Sequence, residues 1–282
     1  MIREKFNEVF ITSTNDTIYD FELLNFSKNV VLKYKKAIPR LFRYSSADYY
    51  NIRALETQSL YLTPSGNMND VFEGLSCEIS DEVIDGIENI SDIAFLKSFS
   101  EEKSSLLMWA HYADNYSGMC VEYDFSKLSE TLLFHLYPVY YSAKRSTSRH
   151  LEWVIAEHKD LKRMNEEKYY PNECDWLKDI MSLFLSKSMS WSYEKEWRIL
   201  VMYPQMHNEA QDVEDELEEF YHIDSQQISV VDCVKAVYLG PKMKRCIKEH
   251  IKEICRDRLG GIPIYSTILS KDNYALDYIQ EY

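Results

Sequence analysis

The stretch from Glu194 to Pro204, EKEWRILVMYP, constrains the fold more than any other in the 282 residues. In a strand, alternate residues share a face. Glu194, Glu196, Arg198, Leu200 and Met202 then fall on one side, and Trp197, Ile199 and Val201 on the other. A strand apolar on both faces belongs inside a sheet that is covered from both sides. Its charged start therefore marks one end of a buried sheet, where a cleft can open. Two like-charged carboxylates there admit two explanations. Either Glu196 and Arg198 pair with neighbours and fix the strand end, or Glu194 and Glu196 form an E-x-E pair aimed into a pocket. In the second case one carboxylate holds a substrate hydroxyl and the other accepts a proton.

Further strands are predicted at RLFRY, SLYLTPSG, DIAFLKSFS, GMCVEYDFS, LYPVYYS, VKAVYLG and IPIYSTIL, the last closing the sheet. SADYYNIRALETQ reads as a helix with Ser46 as N-cap. SSLLMWAHYA reads as a short helix, apolar nearly all round and so buried, closed by Asn115 and by Gly118 in a left-handed conformation. Residues 150 to about 190 look helical, with an interruption near Pro171. PKMKRCIKEHIKEICRDRLGG is an amphipathic helix with a proline in its first turn and paired glycines after its end. Strands and helices alternate irregularly over short connections. That pattern predicts an α+β fold, with a mixed, mainly antiparallel central sheet flanked by helices. One domain over 39–282 follows a helical N-terminal extension, 1–38, that ends at Pro39.

Composition narrows the function classes. Hydrophobic residues make up 45%, the 22 tyrosines included, which is ample for a core. The net charge of -14 repels a nucleic-acid backbone, so nucleic acid is not the expected partner. The acidic run from Glu209 to Glu219 reads as a solvated loop or exposed helix. No apolar leader and no run of about 18 apolar residues is visible, so no membrane partner is expected. Six scattered cysteines without C-x-x-C point to free thiols in a reducing cytoplasm.

Several constellations carry possible chemistry. Cys246 and His250 have the i, i+4 spacing of metal ligands, with Cys255 nearby, but they share their helix with Met243, Ile247, Ile251 and Ile254 and lack a fourth ligand. No metal is expected there. Neither standard phosphate loop and no G-x-S-x-G elbow occurs. In LGPKMKR, Lys242, Lys244 and Arg245 cluster at a helix start that either holds an anion or is simply solvated. LLMWAHYADNYSG places Trp109, His111 and Tyr112 on one short helix, with His111 either a core histidine or a working one. In GNMNDVFEG, Asn67, Asn69, Asp70 and Glu73 either cap the next segment or line the rim of a pocket.

The ordered blocks LFRY, LYLTPSGNMNDVFEG, SFSEEKSSLLMWAHYADNYSGMCVEYD, WSYEKEWRI and VYLGP resemble the bacterial domain of unknown function 2971 over roughly residues 40 to 245. Ser45 and Val71 depart from the family's usual arginine and proline. The family has no established activity, but the blocks are also similar in outline to ADP-ribosyltransferases. These have a split mixed sheet, an early Arg, His or Tyr, a middle Ser or Tyr and a late E-x-E. That likeness implies NAD as substrate and no metal. It puts Arg43 and Tyr44 early, Tyr61 and Thr63 in the middle, and Glu194 and Glu196 late. Glu196 would bond the nicotinamide ribose hydroxyl and stabilise oxocarbenium-like charge, and Glu194 would orient or deprotonate the acceptor. Tyr61 or Tyr112 would stack on nicotinamide, His111 would hydrogen-bond NAD, and Arg43 or Arg198 would meet its pyrophosphate. Asn69, Asp70 and Trp109 complete the expected binding set. Two alternatives stand beside this one. A Mg²⁺-dependent nuclease would use Asp70, Glu122, Asp124, Glu194 and Lys195. A non-catalytic ligand-sensing or interaction domain would use the aromatic residues to bind a small molecule or protein target. The family resemblance further implies a role in bacterial stress response or phage defence.

Overall fold

A computed structural model describes residues 40–70, 72, 94–129, 132–133, 135–143, 184–202 and 227–281. The expected N-terminal extension, most of the helical stretch 150 to 190 and the acidic run 209–219 lie outside the described residues. Thirteen strands and three α-helices are assigned among them: β1 Leu41–Ser45, α1 Tyr49–Glu56, β2 Ser59–Tyr61, β3 Thr63–Pro64, β4 Ala94–Ser100, α2 Leu106–Tyr112, β5 Met119–Tyr123, β6 Leu136–Pro138, β7 Tyr140–Ser142, β8 Ser186–Ser188, β9 Glu196–Met202, β10 Gln227–Ser229, β11 Val234–Leu239, α3 Arg245–Asp257, β12 Ile264–Leu269 and β13 Leu276–Gln280.

The main sheet runs β13-β12-β11-β5-β1-β4-β9-β6, with β3 added to the edge of β4. Only β11 and β12 pair in parallel within it, so the sheet is mixed and mainly antiparallel, as the short connections imply. Strand alternation sorts the core onto two faces. Leu41, Val121, Phe99, Ile199 and Val237 join Ile251, Ile254 and Cys255 of α3 in the larger cluster. Phe42, Tyr44, Cys120 and Tyr238 point the other way and pack on Met108 and Trp109 of α2. Sequence-adjacent residues thus serve opposite faces, which is why both faces of β1 and β5 read as apolar.

Local chemistry departs from expectation at several points. The α1 N-cap is Asp48, whose side chain accepts from the Asn51 N–H, while Ser46 donates its hydroxyl to the same carboxylate at 2.6 Å. α3 starts only at Arg245, so Pro241 lies in the preceding turn; Gly260 and Gly261, both left-handed, follow its end as the sequence implies. Beyond α2 the left-handed residues are Asp114, Asn115 and Tyr116, not Gly118. Gly118 is needed for close approach instead, because a Cβ there would lie 2.1 Å from the Ser45 carbonyl oxygen. LYPVYYS splits into β6 and β7, and β7 leaves the main sheet to pair with β8. The sheet is closed by β13, not β12, and both β13 and β10 escaped the sequence reading. The cysteines at 120, 233, 246 and 255 are free thiols. Among the described residues no helix is long and apolar enough to cross a membrane.

Candidate functional site

β4 pairs with β9 along its whole length, from Ala94↔Met202 to Ser100↔Glu196. Its other edge is divided. β1 meets it only at Phe42↔Ser100, and β3 only at Thr63↔Leu96 and Pro64↔Phe95. No described strand pairs this edge at Lys97, Ser98 or Phe99. A cavity of about 250 Å³ fills that split, with Arg43 and Tyr44 of β1 on one wall and Lys97 of β4 on another. Asn67 and Asn69 from the turn after β3 form its rim, Tyr112 comes from α2, and Lys187, Glu194, Glu196 and Arg198 complete it.

The two carboxylates reach the cavity by an unexpected route. Residues Met189–Glu194 form a 3-10 turn, and Lys195 turns left-handed at φ 44° before β9 begins at Glu196. Glu194 is therefore not a strand residue sharing a face with Glu196. The turn is held from outside: Ser100 Oγ donates to the Glu194 carbonyl at 2.6 Å, and the Glu101 N–H to the Lys195 carbonyl at 3.2 Å. Both carboxylates nevertheless converge on one cation. Lys187 Nζ donates to Glu194 Oε2 at 2.7 Å and to Glu196 Oε2 at 3.2 Å. Lys187 lies on β8, in a segment that reads as helical in the sequence, so its part in the site is invisible there.

The environments of the two acids differ. Glu196 is 4% exposed and is gripped in a fork by Arg198, Nε to Oε1 at 2.8 Å and Nη2 to Oε2 at 3.0 Å. Arg198, fully buried, also donates Nη1 to the Phe184 carbonyl. Burial pushes the Glu196 carboxyl up, but Arg198 and then Lys187 outweigh it and hold it at about 2. Glu194 is 2% exposed and lacks the arginine. It accepts from the Tyr112 hydroxyl at 2.5 Å. Burial and the charge of Glu196 raise its carboxyl above the usual range, with Lys187 and Tyr112 opposing. Two carboxylates on one cavity are thus driven apart, one fixed as an anion and one disposed to carry a proton.

Arg43 and Lys97 were brought to the same cavity from β1 and β4. Arg43 Nη2 donates to Asn51 Oδ1 at 3.1 Å, and burial lowers its affinity for the proton. Burial, then the nearby Arg43, bring the Lys97 amine down to about 7. Lys97 was missed in the sequence although a signal exists: a lysine between Phe95 and Phe99 on the apolar face of a strand.

Of the residues predicted from sequence, Arg43, Tyr44, Asn69, Tyr112, Glu194, Glu196 and Arg198 line the cavity, and four others do not. His111 is exposed on the outer side of α2, its ring 6.4 Å from that of Tyr193, because a helix of barely two turns buries only one face. Tyr61 is 55% exposed on β2, which pairs with β10 outside the main sheet. Trp109 is a core residue, edge-on to Tyr44 at 5.4 Å with its indole N–H donating to the Lys103 carbonyl at 3.1 Å. Asp70 accepts from the Phe72 N–H at 3.0 Å, a local turn contact. Tyr44 reaches the cavity but donates its hydroxyl to the Glu102 carbonyl at 2.6 Å, which makes it part of the wall.

The acids of the nuclease alternative are dispersed. Glu122 accepts from the Tyr238 hydroxyl at 2.7 Å, Asp124 caps Ser126, and Lys195 pairs with Glu102. On α3, Cys246 and His250 are exposed while Cys255 is buried, so the three do not share one face, and no group of three possible metal ligands occurs among the described residues. Before α3, Lys242 sits 5.2 Å over the Tyr116 ring.

Residues 108–199 are similar to a family described as Protein of unknown function (DUF2971). The matched segment contains most of the third and all of the fourth sequence block, including Tyr112, Glu194, Glu196 and Arg198. No curated protein and no solved structure matches the chain.

Proposed function

We propose that the split between β1 and β4 is the active site of an ADP-ribosyltransferase-like enzyme that uses NAD. The observation that supports this reading is the unequal pair of carboxylates on one cavity. Glu196, held as an anion, stabilises positive charge that develops on the ribose when the bond to nicotinamide breaks. Glu194, with its raised proton affinity, takes the proton from the acceptor nucleophile. Tyr112 positions Glu194, and Asn69 at the rim donates to the carboxamide or a ribose hydroxyl. A cavity of about 250 Å³ is smaller than sites that enclose a drug-sized ligand. It takes the nicotinamide riboside end of NAD and leaves the remainder at the mouth. On this reading the protein is a cytoplasmic bacterial effector or defence protein that modifies a protein or small-molecule target.

One observation favours a second reading, a ligand-sensing domain without chemistry. Both oxygens of Glu196 already serve Arg198 and Lys187, so the group holds the end of β9 in place. The two readings part in one experiment. Nicotinamide release and transfer of labelled ADP-ribose are followed for the wild type and Glu194→Gln, with NAD binding measured by calorimetry. The transferase reading expects turnover in the wild type, and in the variant retained binding with a loss of about 100-fold or more in rate. Binding without release in the wild type supports the sensor. Undiminished turnover in Glu194→Gln, or no binding of NAD at all, removes the transferase assignment.

A further inference from the structure

The charges on the cavity do not balance. Among the described residues four basic side chains line it, Arg43, Lys97, Lys187 and Arg198, against two acids, Glu194 and Glu196. Lys187 and Arg198 are matched to the acids by direct ion pairs. Among the described residues Arg43 hydrogen-bonds only the neutral Asn51, with the Asp48 carboxylate behind it favouring its charge, and Lys97 makes no hydrogen bond or ion pair. An unmatched, largely buried ammonium is rare because its desolvation is uncompensated. Here Lys97 is such a group, and it stands with the buried Arg43 on the walls of one cavity in a chain of net charge -14. Strand alternation puts Lys97 on the face of Phe95 and Phe99, opposite Glu196 and Arg198. The split therefore carries acid–base groups towards one face of the sheet and, towards the other, positive charge with no directly paired acid among the described residues.

We propose that Lys97, backed by Arg43, is the anion-binding subsite of this cavity and receives a phosphate or carboxylate group of the ligand. The inference needs the split to be a ligand site but does not need the transfer chemistry. It also implies that binding is linked to protonation. Empty, the Lys97 amine sits at about 7; an anion against it raises that value, so above neutrality the complex takes up a proton that the empty site lacks. The other ionisable groups on the cavity are Glu194 from the turn before β9, Glu196 and Arg198 on β9, Lys187 on β8, Arg43 and Tyr44 on β1, and Tyr112 on α2. Glu196 stays ionised, and burial raises both tyrosines further beyond neutrality. Glu194 loses its proton as pH rises and so weakens anion binding in the same direction.

Sulfate and acetate are suitable probes, because neither titrates between pH 6 and 9; sulfate stands for a phosphate and acetate for a carboxylate. Calorimetry in buffers of different ionisation enthalpy, on the full chain, gives affinity and proton uptake together. The expected result is affinity for one of the two that falls by up to about tenfold per pH unit above pH 7, with proton uptake approaching one. Lys97→Met is expected to weaken binding about tenfold or more at pH 6 and to flatten the pH dependence. Lys97→Arg is expected to bind without proton uptake. A wild type that binds neither anion at pH 6, or a folded Lys97→Met that binds as tightly as the wild type, overturns the subsite. Should the arginine variant fail to fold, the wild-type proton uptake alone still decides, since binding without uptake above pH 7 overturns it as well. Loss of the transferase activity with anion binding intact removes only the transferase reading.

Discussion

Replacing Arg198 by methionine tests whether the end of β9 is held electrostatically. Arg198 is fully buried and supplies two of the hydrogen bonds to Glu196 and one to the Phe184 carbonyl. Methionine keeps much of the volume but leaves Glu196 buried without the guanidinium fork, with Lys187 still at 3.2 Å. Removing one partner of a buried pair costs about 3–5 kcal/mol, because the other charge stays desolvated. The pH dependence checks the cause. In the wild type Glu196 titrates at about 2 when folded against 4.5 when unfolded. The unfolded chain therefore binds more protons between those values, and stability rises with pH across that window. At about 1.4 kcal/mol per unit, the contribution is about 3 kcal/mol, fully present above 4.5 and lost as pH falls towards 2. In Arg198→Met the carboxyl moves up, so the variant loses this gain and its deficit is largest near pH 7. Urea unfolding followed by tryptophan fluorescence reads the difference. With a slope of about 3 kcal/mol per molar for a chain of this size, the midpoint falls by about 1 M or more at pH 7, and by less at pH 4. A midpoint within about 0.3 M of wild type at pH 7, or a deficit that grows on acidification, refutes the reasoning.

Tyr112→Phe removes the hydroxyl that donates to Glu194, which raises the Glu194 carboxyl further. The acid limb of any pH–rate profile is expected to move upward by about one unit, and stability at pH 8 to fall by about 1.5–3 kcal/mol for the lost charged hydrogen bond. An unmoved profile means that Glu194 is not the group that titrates. Gly118→Ala would place a Cβ 2.1 Å from the Ser45 carbonyl and 2.9 Å from the Ala113 carbonyl, both backbone atoms. β1 must shift to admit it, at a cost of about 1–3 kcal/mol or more; a melting temperature equal to wild type contradicts that packing.

Much of the sheet was legible because alternation reports burial directly. The strands around Leu41, Ala94, Met119, Glu196, Val234 and Ile264 all carry buried apolar residues on at least one face. β13 was missed for the complementary reason: it is an edge strand, exposed along most of its length, and only Leu276 is buried. The candidate site was half legible. Charged residues at the start of an apolar strand signal an opening, and Glu194, Glu196 and Arg198 do line one. His111 and Trp109 misled because a composition that is apolar all round does not tell which side of a short helix meets the sheet.

The amino-acid sequence on its own determined which apolar segments become the inner strands, that they form a mainly antiparallel sheet, and that two carboxylates stand where it opens. These follow from side-chain periodicity and apolar content, which are local properties. Tertiary structure alone decided that Lys195 turns left-handed, that Lys187 bridges the acids, and that β1 and β3 leave open the middle of the β4 edge away from β9. Each of these depends on contacts between residues distant in the chain, such as Ser100 with Glu194 and Phe42 with Ser100. The difference between the two carboxylates has the same origin, since a proton equilibrium is set by burial and neighbouring charge in space, and not by residue type or spacing.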